Sequence, residues 1–594
     1  MGSLDSLCNR VFMPEHLTHA AGLRRLADHS ADWRLVPLSG GAIVIGAGAA
    51  LGAWALMGLI ALATNLFWFA RLSLAPAEIT AAHVGLATVA IPVIGSLIVG
   101  LMARFGSEKI RGHGIPEAIE AILYGESRLS LKVAILKPLS SAISIGSGGP
   151  FGAEGPIIMT GGAIGSLLAQ CFKLSAAERK TLLVAGAAAG MTGVFGTPLA
   201  AILLAVEVLL FEWKPRSFLP VVVAVLVSHS IRPFLLGTGP LFPFTGAIVP
   251  GVGMDAIALA VGLIIGLEAV LLSSLLYRVE DMFHRLPVHW MWWPAVGAVV
   301  VGLGGLFDPR VLGAGYANIQ ALLDGAFGLR LVLALLTLKA VVWLVALGSG
   351  TSGGVLAPLL ILGGALGALL GQFLPGPVGF WALLGMAGIL SGAMRAPLTG
   401  AIFALELSGR FDALPATIAA SAGAYGISVL LMRRSILTEK IARRGRHILQ
   451  EYSVDPLDFL QAEQLMTPAP ETLPGDMPIR AVIAWFTEGA THRSYPVVDP
   501  AGRLLGLVSR SDALRWRLEG DLHETSLVDA LSDSSQPFAA PKSPIGAVAD
   551  LMVATGVGRI PIVDETSGKV IGILSRHDLL KARSARTRAE LERS

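Results

Sequence analysis

Cysteine is almost absent: Cys8 and Cys171 are the only two in 594 residues, which leaves no disulfide framework and no thiol set for a metal cluster. Charge is scarce too. Charged residues make up 15% of the chain against 54% hydrophobic ones, and the mean hydropathy is +0.68, too apolar for a soluble protein of this length. The formal net charge is +3, but no basic face is interleaved with base-stacking aromatics, so nothing points to nucleic acid. HExxH, paired intramembrane aspartates and GxSxG in a suitable context are missing, which argues against an intramembrane enzyme. The first 36 residues contain Arg24, Arg25, Asp28 and Asp32 without an apolar core and a small-residue cleavage site. We read no secretory signal there and expect a cytoplasmic amphipathic helix.

What the chain does have is long apolar stretches, at 40–65, 84–102, 176–192, 255–275, 294–306 and 330–347. They approach or exceed the about 20 helical residues needed to cross a bilayer. Other stretches are shorter and read as re-entrant or tilted. Arg433, Arg434, Lys440, Arg443, Arg444 and Arg446 follow the last apolar stretch. By the positive-inside rule that end faces the cytoplasm of a multi-pass protein in the cell membrane.

The apolar half is duplicated. GSGGPFGAEGPIIMTGGAIGSLLAQ at 146–170 returns as GSGTSGGVLAPLLILGGALGALLGQ at 348–372, with Pro156 answering to Pro358 and Lys137 to Lys339 at the same offset. VFGTPLAAILLAVE, ending at Glu207, resembles AMRAPLTGAIFALE, ending at Glu406. Each Gly-rich loop runs straight into an apolar helix and so exposes the unpaired N–H groups of a helix start at membrane depth. Such ends bind anions, and in repeat-built transporters they converge near the midplane where the repeats meet. Partial charges of this kind hold a desolvated halide without the grip of a bare cation. Glu154 is the one acid within such a loop. Its carboxylate can take a halide's place and leave when protonated, although an ordinary helix-capping role is the alternative; intramembrane acids are costly and usually functional.

Near residue 450 the composition becomes charged and carries a second repeat. YPVVDPAGRLLGLVSRSD at 495–512 is echoed by IPIVDETSGKVIGILSRHD at 560–578, each a strand, a turn, a second strand and a helix start. This resembles a tandem pair of CBS domains. The resemblance implies adenine-nucleotide contacts at Ser509, Asp512, Ser575 and Asp578; capping of the following helices is the other reading of the same residues.

GHGIP at 112–116, GAEGP at 152–156, GGVLAP at 353–358 and SILTEKIARRG at 435–445 together resemble the CLC family of chloride channels and chloride/proton exchangers. The resemblance implies an all-α polytopic membrane domain with an inverted-type duplication and broken helices, followed by the α/β CBS pair. The expected organisation is a cytoplasmic N-terminal segment 1–35, a transport domain 36–447, a linker 448–460, CBS domains 461–517 and 518–585, and a tail 586–594. It further implies a gate at Glu154 and an anion site built from Gly112, His113, Gly114, Ile115, Gly152, Ala153, Gly155, Gly354, Val355, Leu356, Ala357 and Leu437. Glu207 and Glu406 read as structural or interfacial acids. Lys137 and Lys339 are placed near helix ends, supplying positive potential or pairing with acids.

Departures from the family pattern are concentrated at the site. Val208 stands where well-known exchangers carry an inner glutamate, so that proton-relay position is lost. Leu437 replaces the Tyr of the last helix, Leu356 the Phe of the third loop, His113 the Ser of the first, and Ala153 the basic residue before the gate. The sequence therefore favours a passive, voltage- or pH-gated chloride channel, with a chloride/proton antiporter as the alternative. A CBS-regulated divalent-cation channel is the rival outside the family, and it lacks the acidic pore such a cation needs. The resemblance implies a homodimer in the bilayer that conducts chloride or another small anion and requires no cofactor or metal beyond that bound ion. Adenine nucleotide remains an open ligand of the CBS pair, and His113 becomes a candidate source of pH dependence because its unperturbed pKa is near 6.5.

Overall fold

The computed structural model describes residues 17–19, 33–82, 85–125, 127–248, 251–446, 460–519, 524–531 and 536–581. Two compact units emerge, His29–Glu451 and a second made of Met1–Asp28 with Tyr452–Ser594. Each is described by itself. Among the described residues, the expected linker and tail fall almost entirely outside, as does Cys8, while Cys171 is an exposed free thiol.

The larger unit is helical, and its element order repeats. Leu35–Phe69, Ala87–Phe105, Ile115–Tyr124, Leu131–Gly146, Glu154–Gln170, Ala176–Phe195, Pro198–Leu204 and Pro215–Leu236 are matched in turn by Val252–His284, Trp293–Phe307, Tyr316–Leu323, Leu329–Gly348, Leu356–Gly371, Val378–Met394, Pro397–Ser408 and Leu414–Leu431. Seven helices among the described residues are long and apolar enough to cross a membrane. Two of them, over 215–236 and 411–431, escape the sequence reading. Pro220 and Pro233 interrupt the first and an Arg410–Asp412 pair opens the second, yet neighbouring helices satisfy the backbone at such interruptions. The helix over 176–192 is buried on every side from Thr181 to Phe195, so that part packs against protein all round.

Helix pairs pack where small residues let backbones meet. A Cβ on Gly161 would run into the Gly186 carbonyl, and in the second repeat a Cβ on Gly363 would meet the Gly385 carbonyl. Close approach of this kind replaces the hydrophobic drive that lipid removes.

The smaller unit is α/β. One sheet has the order β3-β4-β5 (Leu473–Pro474, Ser494–Val498, Leu504–Ser509) and the other β2-β8-β7 (Thr467–Pro468, Val570–Ser575, Arg559–Val563). Both expected strand–turn–strand–helix units are present. The two cores trade segments: Ala462 packs with Val548, Ile560 and Leu574, whereas Leu527 and Leu531 pack with Tyr495 and Val508. The expected N-terminal amphipathic helix is not what forms over its described part. Leu17–His19 is a strand, β1, paired in parallel with Gln536–Phe538, β6, as a separate two-stranded sheet, because an unpaired strand offers its backbone groups to any extended segment within reach.

Candidate functional site

Three helices begin at one place. Their first intrahelical bonds run from Ala118 N–H to the Gly114 carbonyl (3.0 Å), from Ile157 to Ala153 (2.9 Å) and from Leu359 to Val355 (3.1 Å). The N–H groups before those residues lack helical partners, as at any helix start. Pro116, Pro156 and Pro358 fit there because they have no N–H to leave unpaired.

The loops ahead of the helices are bonded to one another across the duplication. Gly354 donates to the Gly152 carbonyl at 2.9 Å, Gly152 returns a bond at 3.3 Å, and Gly353 donates to the Gly112 carbonyl at 3.4 Å. Glu154 opens its helix with its side chain fully buried. Oε1 accepts from the Ala357 N–H of the other repeat, and Oε2 is buried with no partner among the described residues. A Cβ on Gly152 or on Gly354 would overlap the carboxylate, so glycine at both positions is what makes room for it. Glu154 therefore does not cap its own helix in the ordinary way. The Glu154 carboxyl thus takes a main-chain donor of the opposite repeat, and an anion of similar size would find the same donor there.

Lys137 and Lys339 depart from expectation. Both lie in mid-helix and neither pairs with an acid; each donates to loop carbonyls. Lys137 Nζ holds Ile110 (2.8 Å) and Gly112 (2.6 Å) and reaches Ser352 Oγ (3.1 Å). Lys339 Nζ holds Val311 (2.8 Å) and Gly313 (3.1 Å). The symmetry of these contacts exposes a motif the sequence reading missed. GAGYA at 313–317 is the second-repeat counterpart of GHGIP, with positive φ at Gly313 and Gly315 as at Gly112 and Gly114. One residue of offset difference hid the match, and the paired lysines are the signal that finds it.

On the far side of the Gly112 loop lies a cavity of about 810 Å³, lined among others by His113, Glu117, Tyr277, Lys440, Arg443 and Arg444. Glu117 is buried and pairs with Lys440 (3.0 Å) and Arg444 (3.2 Å), which ties the last short helix, Thr438–Arg443, to the first loop. The His113 ring is buried with Nδ1 unpartnered, so that nitrogen has not turned to a backbone carbonyl. Leu437 is buried just before the last helix; Tyr277 donates to the neighbouring Ile436 carbonyl at 2.6 Å. Val355, Leu356, Ala357, Ile115 and Ala153 are buried as well.

Glu207 and Glu406 occupy reciprocal positions. Glu406 accepts from Leu199 (2.9 Å) and Ala200 (2.8 Å) at the start of the Pro198 helix. Glu207 accepts from Leu398 (3.3 Å) and Thr399 (2.8 Å) at the start of the Pro397 helix. Each carboxylate thus caps a helix of the opposite repeat, an arrangement that suits the positive end of a helix. Glu207 sits in a π-helical turn, Ala205–Leu210, next to Val208, which is buried and has no proton to offer. In the smaller unit, Ser509 Oγ donates to Asp512 at 2.6 Å and Ser575 Oγ to Asp578 at 2.6 Å, with main-chain bonds completing both caps. Of the two readings for these four residues, helix capping is the one this geometry displays.

Residues 94–429 match the protein family described as voltage gated chloride channel, and residues 462–519 and 528–585 match the CBS domain. Among curated relatives, an H(+)/Cl(-) exchange transporter of Salmonella paratyphi A is 30% identical over 358 residues, spanning 58% of this chain and 75% of the relative. One from Yersinia pestis bv. Antiqua (strain Angola) is 29% identical over 357 residues, spanning 58% and 74%. Solved structures share the fold. A slow cyanobacterial Cl-/H+ antiporter aligns with a TM-score of 0.61 at 21% identity, covering 68% of this chain and 97% of the other. A eukaryotic CLC transporter aligns with a TM-score of 0.59 at 20% identity, covering 92% and 98%.

Proposed function

Since the chain belongs to the voltage-gated chloride channel family, and is thereby a multi-pass membrane anion transporter, we propose that it exchanges chloride for protons through Glu154. The observation that carries this reading is the buried carboxylate on the Ala357 N–H, between Gly152 and Gly354. Carboxylate and halide compete for one set of donors. Protonation removes the charge that holds the side chain there and lets an anion enter; release of the proton returns the carboxylate and expels the anion. Mutually exclusive occupancy is the simplest source of coupling, since each ligand then binds only when the other has left. The exchange activity named for the relatives supports the same reading.

The remaining donors are assigned along the loops: Gly155, Leu356 and Ala357 on the Glu154 side, and Gly112, His113, Gly114 and Ile115 toward the basic cavity. Passive conduction is the second reading, and Val208 favours it, because no acid at that position can hand a proton onward. Liposomes loaded with chloride and given separate chloride and proton gradients distinguish the two. Exchange predicts a reversal potential that shifts with the pH gradient and uphill chloride movement driven by it. A reversal potential at the chloride equilibrium value, whatever the pH gradient, overturns exchange in favour of the channel.

A further inference from the structure

Tyr316 begins the helix Tyr316–Leu323, directly after the Gly313–Gly315 turn that Lys339 holds in place. Its ring packs against Phe242, with centroids 5.7 Å apart. The hydroxyl oxygen lies beside the Ala153 main-chain N–H and within electrostatic reach of Glu154, yet the hydroxyl is buried with no hydrogen-bond partner of normal geometry. A buried hydroxyl without a partner loses its hydration with nothing in return, and such groups call for an explanation. The unpartnered Glu154 Oε2 belongs to the same neighbourhood.

The donor supply of the site sharpens the point. A halide stripped of water needs several donors, and those at the carboxylate's place are main-chain N–H groups, the Ala357 N–H among them, while Pro156 and Pro358 withhold theirs. His113 and Leu437 bring no hydroxyl to the neighbouring loops. Tyr316 brings one, from the turn that is the counterpart of GHGIP in the other repeat. We propose that the Tyr316 hydroxyl is a ligand of the transported anion at the position the Glu154 carboxylate occupies in this structure, favouring small halides that accept strong hydrogen bonds over large, weakly accepting anions. The proposal rests on the reading of that position as an anion site.

The test is chloride and thiocyanate affinity, measured by isothermal titration calorimetry on the purified full chain. The parent, Glu154→Gln, and Glu154→Gln with Tyr316→Phe are compared. Phenylalanine keeps the ring against Phe242 and removes only the oxygen. Losing one hydrogen bond to a charged acceptor should weaken chloride binding about ten- to a hundredfold, with thiocyanate affected less. Trifluorotyrosine at the same place, a more acidic donor, should restore or tighten chloride binding. Unchanged chloride affinity in the Phe variant overturns the proposal, as does equal weakening by Phe and trifluorotyrosine, which would mark a packing effect. Failure of the underlying reading looks different: Glu154→Gln alone would then bind chloride no more tightly than the parent, whatever stands at 316.

Discussion

At Glu154 a buried carboxyl meets a main-chain donor, the Ala357 N–H, and its replacement is the most direct intervention. Glu154→Gln keeps the size and one acceptor but loses the charge that competes with the anion. We predict higher chloride flux at neutral pH in liposomes and a flattened pH dependence, because the titrating occupant is gone; a mutant whose flux and pH profile match the parent would remove Glu154 from the mechanism. Lys137 makes a second prediction. Lys137→Met leaves the buried Ile110 carbonyl without its lysine donor and removes one donor each from the Gly112 carbonyl and Ser352, at a cost of roughly 1–3 kcal/mol for each group left unsatisfied. Thermal unfolding should shift down and chloride affinity should fall with it, since Gly112 belongs to the loop proposed to hold the anion. Lys339→Met should destabilise comparably through Val311 and Gly313. These roles were not legible beforehand: two lysines at equal offsets are visible in the sequence, but that each grips carbonyls about a helix pair away is a matter of tertiary approach.

At the scale of elements, the reciprocal caps bind the repeats together. Glu207→Gln and Glu406→Gln each replace a two-oxygen acceptor with a single carbonyl and remove the charge facing a helix start. A loss of about 1–2 kcal/mol per cap is expected, read as a lower unfolding temperature, with chloride turnover per folded molecule preserved and, on the proposed exchange, the proton-to-chloride ratio with it. A changed ratio with unchanged stability in Glu207→Gln would instead make that residue part of a proton route. The helix boundaries themselves were largely readable. Gly-rich loops ahead of apolar runs mark the starts at Glu154 and Leu356, since helix starts have a local signature. The helix over 215–236 was not readable, because prolines that break a helix in water are tolerated where packed neighbours take over the freed groups.

For the whole molecule, every residue of the candidate site lies in the unit His29–Glu451. A chain ending after Arg446 should therefore keep chloride flux in liposomes and its sensitivity to Glu154→Gln. Loss of flux from a truncated protein that still unfolds cooperatively would show that the CBS unit completes the transport machinery. The parallel pairing of β1 with β6 adds the N-terminal residues 17–19 to that unit, so the smaller unit is built from both ends of the chain, an arrangement that contiguous boundaries cannot express.

The sequence by itself determined the membrane class, the duplication, the family resemblance, the two sets of strand pairs and the loop that carries Glu154. All of these depend on composition, periodicity or short motifs, which are local properties. Only the tertiary structure decided that Glu154 meets the Ala357 amide, that Glu207 and Glu406 exchange helices, that Lys137 and Lys339 hold carbonyls rather than acids, and that Tyr316 lies beside Ala153. Each of these partners lies in a different segment of the chain, most of them in the opposite repeat. Which side chains meet across that interface depends on how two packed halves register, and hydrophobic periodicity, which says only which face is buried, holds no information about what that face will touch.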